Sequence, residues 1–257
     1  MRRLTLLAAP LLLVACGSPS GDAGPKARYQ VSVAADTAAT SAGEANWQRF
    51  VDNVKIWAPQ FTVTINGPSD AGPPSGWAAA VQGGTLQMAA LPPEDAEALV
   101  PELAVLRLPG LFASHEEADQ VLDQAVFESY RKLFLAHNLS LLEWYDDGWA
   151  DAATREEYRA GVIVANKDWF DRLTPHDRDV FAHAYGSAGQ ARADNRAAVA
   201  AATGTPGPVT WDDETRARHA SRLEEIGGSA AAVYEQLLAG KAAFTDKPPG
   251  STNGTAN

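Results

Sequence analysis

The spacing of hydrophobic positions changes several times along the first half of the chain, and the changes mark alternating strands and helices. Tyr29 to Val33 alternates apolar and polar residues, as a strand does. Asp36 to Gly43 is a small polar loop. From Glu44 to Trp57 the apolar residues Trp47, Phe50, Val51, Val54 and Trp57 fall three and four apart, which predicts a helix. Phe61 to Ile65 alternates again, and Gly67 to Gly76 is a loop rich in Pro, Gly and Ser. Trp77 to Gly83 then predicts a short helix and Thr85 to Ala89 a third strand. The order strand, helix, strand, helix, strand predicts a parallel α/β sheet, in which ligands sit beyond the carboxyl ends of the strands.

Further along, Ser114 to His137 has the pattern of a helix, with Ser114 at the N-cap position and Glu117 placed to complete a capping box. Leu139 to Trp144 predicts a strand, Tyr145 to Trp149 a turn, and Val162 to Ala165 another strand. Thr174-Pro175 opens a helix with proline at its first position, and the pattern carries it to about Ala202. Thr203 to Pro208 breaks it, Val209 to Trp211 predicts a short strand, and Asp212 to Ile226 and Ser229 to Ala239 predict two more helices. Asp246 to Asn257 has the composition of a disordered tail, and the chain has no internal repeat.

Ahead of the first strand, Arg2-Arg3 and the apolar run Leu4 to Val14 form a signal-peptide pattern, too short for a stable membrane span. The run ends in Leu13-Val14-Ala15-Cys16, the small-residue site before cysteine that marks a lipoprotein. Cys16 is the only cysteine, so a disulfide framework is excluded and lipidation at Cys16 is expected. Residues 1–16 are thus read as a lipoprotein signal peptide and 17–28 as a linker, with a periplasmic protein anchored to the inner or outer membrane. A net charge of −11 argues against nucleic acid, which calls for basic patches. It also disfavours a strongly anionic ligand unless an arginine captures it locally.

The run Gly83-Gly84-Thr85-Leu86-Gln87-Met88-Ala89-Ala90, continued by Val100-Pro101-Glu102-Leu103-Ala104-Val105-Leu106-Arg107-Leu108-Pro109-Gly110-Leu111-Phe112, resembles the DctP-type solute receptors of tripartite ATP-independent periplasmic (TRAP) transporters. Ser114-His115-Glu116-Glu117-Ala118-Asp119 and Val121-Leu122-Asp123 extend the likeness. Gly161 to Pro175 is similar to the family's returning strand and the start of its long helix. The resemblance implies a two-lobed clamshell that traps a small molecule between its lobes and passes it to a membrane permease. It also implies a Gly-Leu-Lys-x-Arg strand, whose arginine pairs with the ligand carboxylate, and a Gly-x-x-Asn-Pro loop, both in the second lobe. Residues 146–160 stand where that lobe would be, and neither motif is present. Arg155 and Arg159 lie in this junction, but nothing around them matches the family strand.

The expected fold is therefore an α/β, periplasmic-binding-protein-like lobe with a parallel-type sheet, a long helix and C-terminal helices. Residues 29–245 form one domain: a first lobe at 29–145 and 161–202, a reduced second-lobe remnant at 146–160, and C-terminal helices at 209–245, followed by the tail at 246–257. By position the family's first-lobe contacts fall on Thr37, Leu91, Pro92 and Phe112, and then on Trp144 and Trp149. Trp77, after the loop, and Tyr145, beside Asp146 and Asp147, are further ligand-binding candidates. Burial in the core is the competing reading for Phe112 and Trp144, loop packing for Trp77, and a solvated turn for Tyr145 to Trp149.

No catalytic constellation appears. His115-Glu116-Glu117-Ala118-Asp119 has Asp where a zinc-binding His-Glu-x-x-His needs its second histidine, and Gly186-Ser187-Ala188-Gly189 lacks the glycine two residues before the serine of a nucleophile elbow. Gly83-Gly84-Thr85 has no following lysine and is not a phosphate loop. His176 and His183, one heptad apart, read as a solvated helix face, and no metal-ligand cluster and no cofactor is expected. The sequence thus supports a non-enzymatic receptor that uses an open, mainly apolar cleft near Phe112 and Trp144. Its partners would be a small molecule, a TRAP-type permease and, through the lipid alone, a membrane. The rival expectation is a degenerate receptor, serving as a scaffold or interaction lipoprotein and self-associating as a homodimer through the hinge face exposed by the missing lobe.

Overall fold

The first strand, β1 (Tyr29–Ala34), pairs in parallel with β2 (Phe61–Asn66) on one side and with β3 (Met88–Leu91) on the other. The structure, a computed structural model, describes residues 29–38, 42–149, 157–186, 190–203 and 212–245. The leader with Cys16, the linker, the strand expected at Val209–Trp211 and the tail lie outside those residues. For Asp146 and Asp147 only the backbone is described.

Helix α1 (Gly43–Trp57) connects β1 to β2 and buries Trp47, Phe50 and Val54 of the expected stripe, while Val51 is half-buried and Trp57, at the helix end, is exposed. The loop expected at 67–76 contains a short helix, α2 (Pro68–Ala71), and a 3₁₀ turn at Pro74–Gly76. Helix α3 (Trp77–Gln82) follows and leads toward β3. The third strand begins later than the alternation suggested. Gly84 adopts φ 76°, and the Thr85 and Leu86 N–H groups both bond to the Ala80 carbonyl, so these residues complete a turn before pairing starts.

After β3, α4 (Pro93–Leu99) and a 3₁₀ segment (Pro101–Arg107) lead through Leu-Pro-Gly-Leu-Phe into α5 (His115–Gln120). Ser114 caps α5, accepting the Glu117 N–H at 3.0 Å, while the Glu117 carboxylate reaches back to the Ala113 N–H at 2.5 Å. A π-turn over Val121–Val126 joins α5 to α6 (Phe127–Leu135).

Strand β4 (Leu139–Trp149) and β5 (Tyr158–Asn166) form an antiparallel hairpin, and β5 also pairs antiparallel with β3. The five-stranded sheet has the order β2-β1-β3-β5-β4 and is mixed, parallel only over β1 to β3. The turn expected at Tyr145–Trp149 is strand instead. Tyr145 pairs with Gly161 and Trp149 with Tyr158, and two irregularities in the register absorb the extra residues, with Gly148 at φ 83° in the second. Residues 150–157 are thus all that separates the two strands.

Helix α7 (Lys167–Asp171) follows Asn166, whose side chain accepts the Trp169 N–H, and α8 (Pro175–His183) is capped by Thr174. The single helix expected to about Ala202 is interrupted: α8 ends at His183, Ala184 to Gly186 form a turn, and α9 (Gln190–Thr203) follows. Gly186 lies against the Glu143 carboxylate: a Cβ there would stand 2.6 Å from Glu143 Oε2. Helices α10 (Asp213–Ile226) and α11 (Ala230–Thr245) complete the chain. Among the described residues no helix is long and apolar enough to cross a membrane.

Successive sheet residues enter opposite cores. Ala89, Leu91, Val162 and Val164 join Trp77, Phe112 and Trp144 on one face, while Val33, Met88, Ala90 and Ile163 join Trp47, Phe50 and Phe181 on the other. The C-terminal helices are held to the first face by buried polar contacts. His219 lies 2.9 Å from the Tyr234 hydroxyl through Nδ1 and 2.7 Å from the Pro109 carbonyl through Nε2. Nε2–H therefore donates to the carbonyl, Nδ1 accepts from the tyrosine, and burial keeps the imidazole pKa below its ordinary value. Lys241 of α11 pairs with the buried Glu117 at 2.9 Å and also donates to the Leu111 carbonyl.

Candidate functional site

A cavity of about 150 Å³ opens beyond the carboxyl ends of β1 and β3. Asp36 and Gly43 come from the β1–α1 connection, Ala90, Pro92 and Pro93 from the end of β3 and the start of α4, and Tyr145 and Arg159 from β4 and β5. Trp47, Pro74, Trp77 and Tyr185 complete the wall. The cleft is thus built where a parallel α/β sheet leaves its crevice.

Each wall residue is fixed by its own element. Trp77 is fully buried at the start of α3 and donates its indole N–H to the Gly72 carbonyl at 2.9 Å. The Trp47 ring stands 4.7 Å from that of Tyr185, inclined by 52°, which pins α1 to the turn after α8. The half-buried Tyr145 ring lies over Gly161, and a side chain there would overlap it. Arg159 pairs with Glu94 of α4 at 3.2 Å, and both side chains are more than a third exposed. That pairing is weak and exchangeable against solvent or another anion. Next to Glu94, the Asp95 carboxyl is held above its ordinary value by burial and then by the Glu94 charge.

Of the expected ligand contacts, Trp77, Pro92 and Tyr145 meet at this cavity. Thr37 lies half-buried beside Asp36, whose Oδ1 accepts the Ala38 N–H at 3.1 Å. Leu91 is wholly buried beneath, paired with Val162. Phe112 and Trp144 are core residues: Trp144 donates to the Leu122 carbonyl at 3.2 Å, and Phe112 packs on Tyr158 with ring centres 5.0 Å apart. Trp149 is also buried, between His115 and Tyr158. Behind that stack, Arg196 makes a two-pronged pair with Asp119 at 2.8 Å and donates to the Tyr158 hydroxyl at 2.6 Å, while Arg192 reaches Asp123 at 2.5 Å. These pairs lock α9 onto α5 and the hairpin.

Sequence reasoning did not assign Trp47, Tyr185 or Arg159 to the site. Trp47 carried only the signal of an apolar helix stripe, and Tyr185 that of a helix interior. Arg159 stands two residues before Gly161, so strand alternation points both to the same face of β5. That was the one signal able to place it.

Residues 57–160 match the family model for bacterial extracellular solute-binding protein, family 7 (DctP). The matched stretch contains Gly83 to Asp123, the segment that carries the sequence resemblance. No curated protein matches the chain. Among solved structures, the sugar acid binding protein DctPAm of Advenella mimigardefordensis, in complex with galactonate, superposes with a TM-score of 0.66 at 15% identity, over 83% of this chain and 98% of that one. A TRAP periplasmic solute binding protein of Ochrobactrum anthropi gives 0.67 at 15% identity, over 84% and 96%. The periplasmic ectoine-binding protein of the TeaABC TRAP transporter of Halomonas elongata gives 0.65 at 14% identity, over 83% and 99%. The resemblance to DctP-type receptors is therefore borne out, and at these identities the solved structures speak for the fold alone.

Proposed function

We propose that the chain is a lipid-anchored periplasmic solute-binding protein of a TRAP-type transporter, which binds a small organic molecule and delivers it to a membrane permease. One observation carries this reading: the cleft at the carboxyl ends of β1 and β3 gathers four aromatic rings around one loosely paired arginine. The aromatic rings supply apolar contact, and Arg159, released from Glu94, supplies a cation for a carboxylate. A volume of about 150 Å³ suits a molecule of the size of galactonate or ectoine, which solved relatives of this fold hold, better than a drug-sized one. Lipidation at Cys16 rests on the Leu-Val-Ala-Cys pattern. The absence of an enzymatic role rests on the family likeness and the lack of a catalytic motif.

A thermal-shift panel of sugar acids, hydroxy acids, pyroglutamate and ectoine on the soluble chain starting at Gly17 tests the reading. A ligand at a hundred times its Kd should add roughly 2.7 kcal/mol to stability. Because Arg159 is partly exposed, Arg159→Ala should leave the unliganded melting temperature almost unchanged and weaken acid binding about tenfold or more, the scale of a charge-assisted bond. A panel without a shift on well-folded protein overturns the receptor reading. It would favour the scaffold alternative, supported by the short 150–157 connection, which leaves no lobe to close over the cleft. Self-association through the hinge face would then show as a dimer mass in solution.

A further inference from the structure

Among the described residues the large apolar side chains left exposed are Tyr29, Ile56 and Trp57, at 57%, 64% and 63% of their full surface. They lie at the same end of the lobe. Helix α1 ends on Ile56-Trp57, and the turn after it returns the Phe61 N–H to the Ala58 carbonyl at 3.0 Å. The Tyr29 N–H bonds to the Gln60 carbonyl at 3.2 Å, and the Tyr29 and Phe61 rings stand 5.4 Å apart. The Trp57 carbonyl is held by His176 Nε2 at 2.8 Å, which fixes the end of α1 against α8. This end carries the amino termini of β1 and β2, whereas the cleft lies at their carboxyl ends, about 20 Å away for a strand of this length.

We propose that this patch docks on the surface of the lipid bilayer, a proposal that rests on the lipid-anchor reading of Cys16. The length of chain ahead of the fold selects the occupant. Residues 17–28 separate Cys16 from Tyr29, and even fully extended they place Tyr29 at most about 45 Å from the lipid. The segment joins the fold at Tyr29 itself, so the patch belongs to the end of the lobe nearest the bilayer. An exposed Trp and Tyr beside an aliphatic residue is the combination that settles at the boundary between headgroups and acyl chains, where a ring is half dry and its polar atom wet. The surrounding charges are mixed, with Lys55 and Asp52 exposed on α1 and His176 and Asp179 on α8. With a chain charge of −11, the surface that fits is zwitterionic rather than anionic. Docking this way holds the cleft open toward the aqueous side, where solute is captured.

The test uses the full chain, processed in a Gram-negative host and reconstituted in phosphatidylcholine vesicles, together with Trp57→Phe and an Ile56→Ser/Trp57→Ser double variant. Subtracting the Trp57→Phe signal isolates Trp57 fluorescence. The expected result is that its emission shifts to the blue and loses its quenching by aqueous acrylamide in vesicles, but not in detergent-free buffer for the chain starting at Gly17. The double variant should still float with the vesicles while the tethered lobe becomes more open to protease. If the protein carries lipid and floats but Trp57 remains as quenchable as in buffer, the docking proposal is overturned and the anchor stands. If the mass of the N-terminal peptide shows no lipid, the anchor reading falls and the docking proposal with it.

Discussion

Gly161→Ala is expected to lower the melting temperature by about 5–10 °C and to abolish the ligand-induced shift, as read by differential scanning calorimetry with and without a panel hit. Gly161 faces Tyr145 across the β4–β5 pair, at the floor of the cleft. A methyl group built there would overlap the Tyr145 ring, standing 2.6 Å from Cε1, and would lie 2.8 Å from the Leu91 carbonyl oxygen. That oxygen belongs to β3, whose backbone is held in the sheet, so both the ring and the paired strands must shift to admit the methyl group. Over-packing of this kind costs about 1–3 kcal/mol, which a domain of this size reads as the stated shift. A displaced Tyr145 ring also closes space in a cavity of only about 150 Å³. Adding Tyr145→Ala to Gly161→Ala should recover the part of the stability lost to the ring, but not the part lost to the Leu91 carbonyl, and should not recover binding. Independent, additive losses in the double variant would show that Gly161 acts through the strand backbone instead.

Local chemistry made much of this fold legible. The buried part of the α1 stripe, the alternation of β1 and β2, the Ser114 cap and the proline that opens α8 all act within a few residues of themselves, and the structure bears them out. Three features were decided at longer range. Tyr145 to Trp149 contains Gly and two Asp, the composition of a turn, yet β5 supplies partners for all of it but Asp147, where the register shifts. The helix expected through Gly186 ends at His183, and Gly186 in the turn beyond lies against a carboxylate from β4, a contact that no spacing within the helix records. The cleft was expected from the position of Phe112 and Trp144 in the family pattern. Those rings instead pack beneath α11 and α6, where Lys241 sits 5.8 Å over Phe112 and Tyr130 meets Trp144 edge-on at 5.3 Å. The residues that line the cavity were visible individually, but their convergence from separate elements follows from the mixed sheet order, which local pattern does not encode.

The same packing predicts a pH dependence. Glu143 projects from β4 toward the Gly186 N–H, and its pKa is raised from the ordinary 4.5 to about 7, first by burial and further by the nearby Asp123 charge, while Arg192 and the Gly186 N–H oppose the rise. The folded state therefore keeps a proton that the unfolded chain releases near pH 4.5. Its contribution is most favourable below pH 4.5 and is lost as the pH rises to about 7, beyond which the cost stays constant. The full loss is on the order of 3 kcal/mol. Glu143→Gln, neutral at every pH, should melt several degrees above the parent at pH 8 and close to it at pH 4.5, so that the difference between the two profiles carries the titration. With so many other carboxylates in the chain, the absolute profiles slope for several reasons, and only this difference isolates Glu143. A difference that does not change between pH 4.5 and pH 8 would mean that Glu143 is ionised in the fold throughout. Its carboxylate would then be held by Arg192, as a permanent ion pair between the hairpin and α9 rather than a proton-dependent one.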